Sequence, residues 1–291
     1  MATNGQKEEG LGQEFTKQVI DSFGPKTDPR LREIMASFTQ HIHDFIRETQ
    51  LTTDEWMTAV KMINWSGQMS NEKRNEGQLM CDIIGIESLV DDITHRKLAK
   101  EGHTGTNSAI LGPFWRADTP WRENGTTITF DTPKDAQVSF LYGQITDSHT
   151  GKPIPNASVE LWQASTNGLY EQQDDKQVEH NLRGKFRTDA EGRYSCYCIR
   201  PTPYPVPNDG PSGQILEMLD RHPYRPAHIH FMVIAEGYQT LVTQIFDSGS
   251  DYVDNDSVFA VKDGLTVDFV PRKGDPQADW QLEYNISIGP A

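Results

Sequence analysis

The sequence predicts a mixed fold, an N-terminal α-helical segment followed by a mainly antiparallel β-sandwich. Up to about residue 100, apolar residues recur at spacings of three and four, the period of amphipathic helices. Beyond it, short alternating runs are separated by Gly, Pro, Asn and Asp, the texture of antiparallel strands and turns. A chain of 291 residues is long enough for two domains. The change of texture near Gly102 divides them into residues 1–104 and 105–291.

Residues 1 to about 25 are polar and are expected to be only partly ordered. Asp28 and Pro29 then start a helix as its cap and first helical residue. Its apolar stripe is Leu31, Ile34, Met35, Phe38, Ile42, Phe45 and Ile46. Thr52 and Glu55 have capping-box spacing and open a second helix through Trp56, Val60 and Ile63. A third is expected from about Asn71 through Leu79, Met80, Ile83 and Ile84, with Gly85 breaking it from a fourth through Leu89, Val90 and Ile93. These helices have too little bulk to bury every stripe. Packing on the second half, or on another copy of the chain, is the natural remedy.

In the second half, Val138–Ile145 and Ala157–Trp162 read as strands around the turn Thr150-Gly151-Lys152-Pro153. Lys185–Thr188 and Arg193–Tyr197 flank Asp189-Ala190-Glu191-Gly192 and read as a hairpin. Arg225–Val233 reads as a strand paired with Gln239–Phe246. Alternation turns Ile229, Phe231 and Val233 one way and His228, His230 and Met232 the other. The two histidine Cα atoms are then ~6.6 Å apart with both imidazoles on one face. Such a pair suits iron, zinc, copper or nickel. His41-Ile42-His43 has the same spelling in a helical segment, where residues two apart project ~200° around the axis and cannot share a metal. That pair is expected to face solvent.

The net charge of −15 argues against a nucleic-acid partner. No stretch is long and apolar enough to span a bilayer, and the start does not read as a signal peptide. Three cysteines make no disulfide framework, since Cys81 is helical and Cys196 and Cys198 share one strand. A reduced, cytoplasmic setting is expected.

Arg200–Pro207 is a proline-dense loop, stiff enough to hold Tyr204 in place. Tyr170 ends Ala164–Tyr170, just after a strand rich in buried-type residues. Singly, each tyrosine reads as a half-buried ring with a hydrogen-bonded hydroxyl. With His228 and His230 they suggest a site of two phenolates and two imidazoles.

Taken together the motifs resemble the intradiol ring-cleaving dioxygenases. The matching pieces are Leu111-Gly112-Pro113-Phe114, the Gly-Leu-Tyr ending at Tyr170, Asn181–Gly184, Thr188–Tyr194, Tyr204 in its proline loop, Arg221–His230 and Thr243-Gln244. They follow family order over roughly residues 75 to 265. The resemblance implies one non-haem Fe(III) per subunit, held by Tyr170, Tyr204, His228 and His230. Phenolate oxygens are hard and anionic, which favours the ferric ion. It also implies that Tyr204 leaves the metal and takes a proton from the incoming diol. Arg225 would stabilise charge building on the ring, and Gln244 would orient the substrate. An N-terminal helical segment in this family builds a homodimer contact, with room for a bound lipid as in some relatives.

Leu111 before Gly112-Pro113-Phe114, and Pro205-Val206-Pro207 after Tyr204, resemble the branch that acts on hydroxyquinol (1,2,4-trihydroxybenzene). In that branch an aspartate on the last core helix recognises the third hydroxyl, a place that Asp82 fits. Leu79, Val206, Pro207 and Val258 are expected to line the pocket with Leu111, Gly112, Pro113 and Phe114. Catechol is the alternative substrate. Outside the class, Gly143–Ala157 also resembles non-catalytic transthyretin-like sandwiches, and a zinc hydrolase would need a carboxylate near the histidines that the sequence does not offer.

Overall fold

Strand alternation decides which side chains of the second half meet in the core and which are left to build a site. The computed structural model describes residues 11–100 and 105–291. Its helices are α1 (Gln13–Asp21), α2 (Pro29–Thr49), α3 (Thr53–Met69), α4 (Glu76–Ile83), α5 (Ile86–Lys100) and α6 (Pro211–Met218). The strands are β1 (Thr126–Thr127), β2 (Val138–Asp147), β3 (Ser158–Trp162), β4 (Arg183–Arg187), β5 (Arg193–Ile199), β6 (Tyr204–Pro205) and β7 (Tyr224–Arg225). There follow β8 (His228–Ile234), β9 (Leu241–Asp247), β10 (Thr266–Val267), β11 (Val270–Pro271), β12 (Trp280–Glu283) and β13 (Ile286–Ile288). None of the described helices is long and apolar enough to cross a membrane.

Residues 1–62 and 63–291 form two compact units, with α3 running through the boundary. In the first unit Asp28 caps α2 by accepting the Leu31 N–H at 2.9 Å, with Pro29 at the first position. Glu55 accepts the Thr52 N–H at 2.8 Å and donates its own N–H to Thr52 Oγ1 at 3.4 Å, completing the capping box of α3. Two expectations change here. Residues 1–10 lie outside the described part, but Gln13–Asp21 is a regular helix rather than a partly ordered tail. It is tied to α2 by Thr16, which meets His43 Nδ1 at 3.0 Å and accepts from Arg47 Nη2 at 2.9 Å. His43 therefore packs on α1, with its ring stacked on Phe15, and only His41 faces solvent. No residue of α2 is buried, and its apolar stripe stays open, with Phe38 57% exposed.

The second unit holds α4 to α6 and every strand. Helix α4 starts at Glu76 and not near Asn71, because Asn75 caps it by accepting the Gln78 N–H at 3.1 Å. Asn71 and Arg74 instead close a turn. Gly85, at φ +75°, separates α4 from α5. One sheet has the order β1-β5-β2-β12-β11, with β13 also on β2; the other runs β10-β9-β8-β3-β4. The central pairs are antiparallel, β1 and β10 run parallel to β5 and β9, β12 and β13 run parallel to β2, and β11 closes the edge antiparallel to β12. Leu141, Ile145, Tyr194 and Cys196 from one sheet meet Val159, Leu161, Phe186, Ile229, Phe231 and Ile245 from the other. That shared core makes the two sheets a sandwich.

The expected hairpin at 185–197 is a corner instead. β4 pairs with β3 and β5 pairs with β2, so the chain changes sheet between them. The turn itself is tight, with the Asp189 N–H donated to the Arg193 carbonyl at 3.0 Å and the Asp189 carboxylate accepting the Glu191 and Arg193 N–H groups. Phe186 and Tyr194 must both point into the inter-sheet core from opposite sides. Two strands of one flat hairpin would not allow that. Cys81, Cys196 and Cys198 are free thiols.

Candidate metal centre

The face of β8 turned away from the core is buried as well. His228 and His230 are each only 2% exposed. Across the strands, His230 lies between Trp162 on β3 and Gln244 on β9, and His228 lies opposite Phe246. Two separate pieces of chain cover this row. One is the ribbon of β6 and β7, whose register sets Tyr204 opposite Arg225. The other is the turn after β3, where the Ser165 N–H is donated to Leu169 O at 2.9 Å and delivers Tyr170 at the head of a 3-10 turn, Glu171–Gln173.

Close packing fixes these pieces. Gly168 sits at φ +78°, and a Cβ there would lie 2.7 Å from Tyr204 Cβ. Gly112, at φ +72°, lets the 110–114 segment approach His230, where a Cβ would be 3.2 Å from Cε1. Phe114 stacks on Tyr170 with centroids 4.5 Å apart. Behind Tyr170 the fully buried Arg183 donates to Glu171 at 2.7 Å and to Gln172 at 2.6 Å. Its guanidinium lies 5.8 Å from the Tyr170 ring.

Four donor atoms converge. Tyr170 Oη is 3.2 Å from Tyr204 Oη and 3.0 Å from His230 Nε2, and Tyr204 Oη is 3.4 Å from His228 Nε2. An ion with bonds of roughly 2.0–2.1 Å has ligand atoms about 2.8–3.4 Å apart, so the spacing fits one coordination sphere. His228 donates Nδ1–H to the Pro226 carbonyl at 2.7 Å, leaving the Nε2 lone pair between Tyr204 Oη at 3.4 Å and Arg225 Nη1 at 3.0 Å. His230 Nδ1 has no protein partner; that ring is held by stacking on Trp162, with centroids 4.8 Å apart and planes 10° from parallel.

Electrostatics point the same way. Burial, with Arg225 adding to it, pushes His228 well below the usual imidazole range, and burial with His228 does the same to His230. Both are neutral lone-pair donors. Burial raises the Tyr170 and Tyr204 hydroxyls, although Arg225 partly offsets this at Tyr204. Ionising the two phenols therefore requires a cation, and a hard trivalent ion suits them best.

Arg225 borders this cluster beside His228. Burial opposes its charge, but the Asp256 carboxylate and the two tyrosines keep it fully protonated. Its Nη2 donates to Gln244 Oε1 at 2.7 Å, and Gln244 Nε2 donates to the Ile110 carbonyl at 2.7 Å. Leu79, Val206 and Val258 meet in one apolar cluster with Ile110 and Phe246, whose ring is 5.7 Å from His228. Asp82 is 1% exposed; its carboxyl meets Glu87, while its Oδ1 has no partner among the described residues. Burial, then Glu87, push its carboxyl up to about 9. Glu87 also accepts the Leu111 N–H at 2.8 Å, and Leu111 packs against the Phe114, Tyr170 and Tyr204 cluster. Pro113 and Pro207, chain neighbours of Phe114 and Val206, are half-buried and belong to neither cluster.

Trp162, Glu87, Arg183 and Asp256 shape the site, yet sequence reasoning gave none of them a role. Each acts through another side chain, so no spacing marks it. A second group, Asp118, Glu179 and His180, has donor atoms within 4.8 Å of one another, but it is largely exposed and Arg116 already pairs both carboxylates. The cavity of about 650 Å³ beside Arg116 and Glu171 is charged, and none of the four donor residues lines it.

Residues 110–290 match the dioxygenase family model and residues 28–102 the model for the catechol dioxygenase N terminus. A catechol 1,2-dioxygenase of Candida albicans is 47% identical over 96% of this chain and 92% of its own length. A hydroxyquinol 1,2-dioxygenase of a Rhizobium species is 41% identical over 98% and 94%. The solved hydroxyquinol 1,2-dioxygenase from Pseudomonas putida DLL-E4 superposes with a TM-score of 0.82 at 34% identity, covering 96% of this chain and 98% of that one. With both segments matched in order and relatives spanning nearly the whole chain, the protein belongs to the intradiol ring-cleavage dioxygenases.

Proposed function

We propose that the protein is a non-haem Fe(III) enzyme that cleaves hydroxyquinol between its adjacent hydroxylated carbons with O2. The product is 3-hydroxy-cis,cis-muconate, in equilibrium with maleylacetate, and both oxygen atoms enter it. Tyr170, Tyr204, His228 and His230 hold the metal in this reading. Its support is their convergence, each donor atom lying within 3.0–3.4 Å of at least one other. A ferric ion held there would supply Lewis acidity and accept electron density, the chemistry needed to bring a diol and O2 to reaction.

Tyr204, carried on the short β6–β7 ribbon, would be the base that accepts a proton from the arriving hydroxyl. Arg225 faces the negative charge that then develops on the ring. Gln244 is engaged at both ends, by Arg225 and by the Ile110 carbonyl, so it orients the diol through Arg225. Gly112 and Phe114 close the near side against water.

Asp82 carries the choice of substrate. A buried carboxyl oxygen without a partner, on an apolar wall, is matched by a third ring hydroxyl and stays unpaired with plain catechol. Catechol is the second reading, favoured by the Candida albicans relative. Residues 1–104 supply a homodimer contact through the open stripe of α2, and 105–291 the catalytic sandwich, with α4 lending Leu79 and Asp82. The three free thiols fit the cytoplasm. Oxygen uptake with hydroxyquinol, catechol and pyrogallol, with product identification, tests the substrate. A colourless iron-loaded protein, or faster turnover of catechol than of hydroxyquinol, counts against this reading.

A further inference from the structure

Asp256 is 5% exposed, and its carboxylate is surrounded by donors from two directions. Oδ1 accepts from Arg225 Nε at 3.1 Å and from the Val258 N–H at 3.3 Å. Oδ2 accepts from Arg225 Nη2 at 3.2 Å and from the Ala260 N–H at 3.1 Å. The guanidinium so held presents Nη1 at 3.0 Å from His228 Nε2 and Nη2 at 2.7 Å from Gln244. The backbone so held carries Val258, whose carbonyl is anchored by Ser88 Oγ at 2.9 Å. The next residue, Phe259, is in the left-handed region at φ 58°, a conformation unfavourable for a bulky side chain. One carboxylate thus fixes a cation on one side and a strained apolar wall on the other.

We propose that Asp256 is a positioning residue that locks Arg225 over the reacting ring and sets the Val258 wall against that ring, so that turnover and ring selectivity are tuned by one side chain. This rests on the function proposed above. A carboxylate that only neutralised a buried arginine would need neither the bidentate geometry nor the two backbone donors. Here the same two oxygens serve both tasks, so displacing them moves both.

The test uses Asp256→Glu and Asp256→Asn in the full-length, iron-loaded enzyme. Iron per chain, the visible tyrosinate-to-iron band, kcat and KM are measured with hydroxyquinol and catechol. Asp256→Glu keeps the neutralising charge but displaces the carboxylate by about one bond length, and misplacement on that scale costs up to about a hundredfold. The expected result is retained iron and band, kcat per iron down about tenfold or more, and a changed ratio of kcat/KM for the two substrates. Asp256→Asn combined with Arg225→Lys should lose little kcat per iron beyond Arg225→Lys alone, while the ratio of kcat/KM for the two substrates still shifts through the Val258 wall. Asp256→Glu with kcat per iron within about twofold of the parent, or effects of Asp256→Asn and Arg225→Lys on kcat that multiply, would overturn the proposal. An iron-loaded parent that takes up no oxygen with either substrate sinks the functional reading as well, whereas an active parent with an unaffected Asp256→Glu variant sinks only this one.

Discussion

Tyr204 and Arg225 face each other across a ribbon of two residues per strand, so the phenol nearest His228 and the buried guanidinium share one backbone frame. Arg225 offsets part of the burial that raises the Tyr204 hydroxyl. In the proposed reaction this pairing would tie the position of the Tyr204 phenol to that of the Arg225 cation.

Tyr204→Phe removes an oxygen and leaves three donors. The expected outcome is an enzyme that still holds iron while kcat drops by about a hundredfold or more, the scale of a lost general base. Iron content alongside single-turnover oxygen consumption checks it. Complete loss of metal would contradict the role.

His228→Ala removes a donor fixed by Pro226 and leaves Arg225 facing an empty space. Iron content should fall to a small fraction of the parent, with loss of the visible band. Full iron and full activity in this variant would disprove the ligand set.

Asp82→Ala should lower kcat/KM for hydroxyquinol by about ten- to a hundredfold while leaving catechol within a few-fold, the range for one hydrogen bond. Equal losses on both substrates would remove Asp82 from recognition. The variant Asp82→Asn gives a second reading of the same residue. With its carboxyl held near 9, folded Asp82 keeps a proton that the unfolded chain has lost above about pH 4. Unfolding then releases a proton across that window, so stability falls as pH rises from about 4 toward about 9. Asparagine has no such proton, and Asp82→Asn should lose less stability than the parent between about pH 5 and about pH 8, by on the order of 1 kcal/mol per pH unit. Denaturant titrations at several pH values decide it; parallel curves would mean that Asp82 is ionised in the fold.

Glu171→Ala strands the buried Arg183 behind Tyr170. The expected cost is about 3–5 kcal/mol of stability, the scale of breaking a buried pair. A guanidinium melt measures it, and a loss below about 1 kcal/mol would show that Gln172 alone satisfies Arg183.

The parts of this architecture that repeat were legible from residues. The 228–233 alternation put Ile229 and Phe231 in the core and both histidines on the opposite face, as their period requires. Asp28 and the Thr52–Glu55 box marked helix starts by local chemistry alone. The corner at 189–192 was not legible, because a tight Asp–Gly turn looks the same whether its strands pair or part. Helix α1 was missed since its few apolar residues are diluted by polar ones, and what holds it is a set of side-chain bonds from Thr16 to α2. Tyr170 and Tyr204 needed the family pattern to be singled out. Asp256 needed coordinates, because its partners Val258, Ala260 and Arg225 come from a local turn and a distant ribbon.

The donor residues are far apart along the chain, with a separation of 34 positions from Tyr170 to Tyr204 and 24 from Tyr204 to His228. An ion gripping all of them is a cross-link that ties off two long excursions, including the whole of α6. Closing loops of such length costs entropy that grows only with the logarithm of their size, so both excursions are tethered at similar expense. Stripping the ion should therefore leave the sandwich standing while amide hydrogens between about residue 165 and about residue 225 exchange faster, slack appearing where the knot was untied.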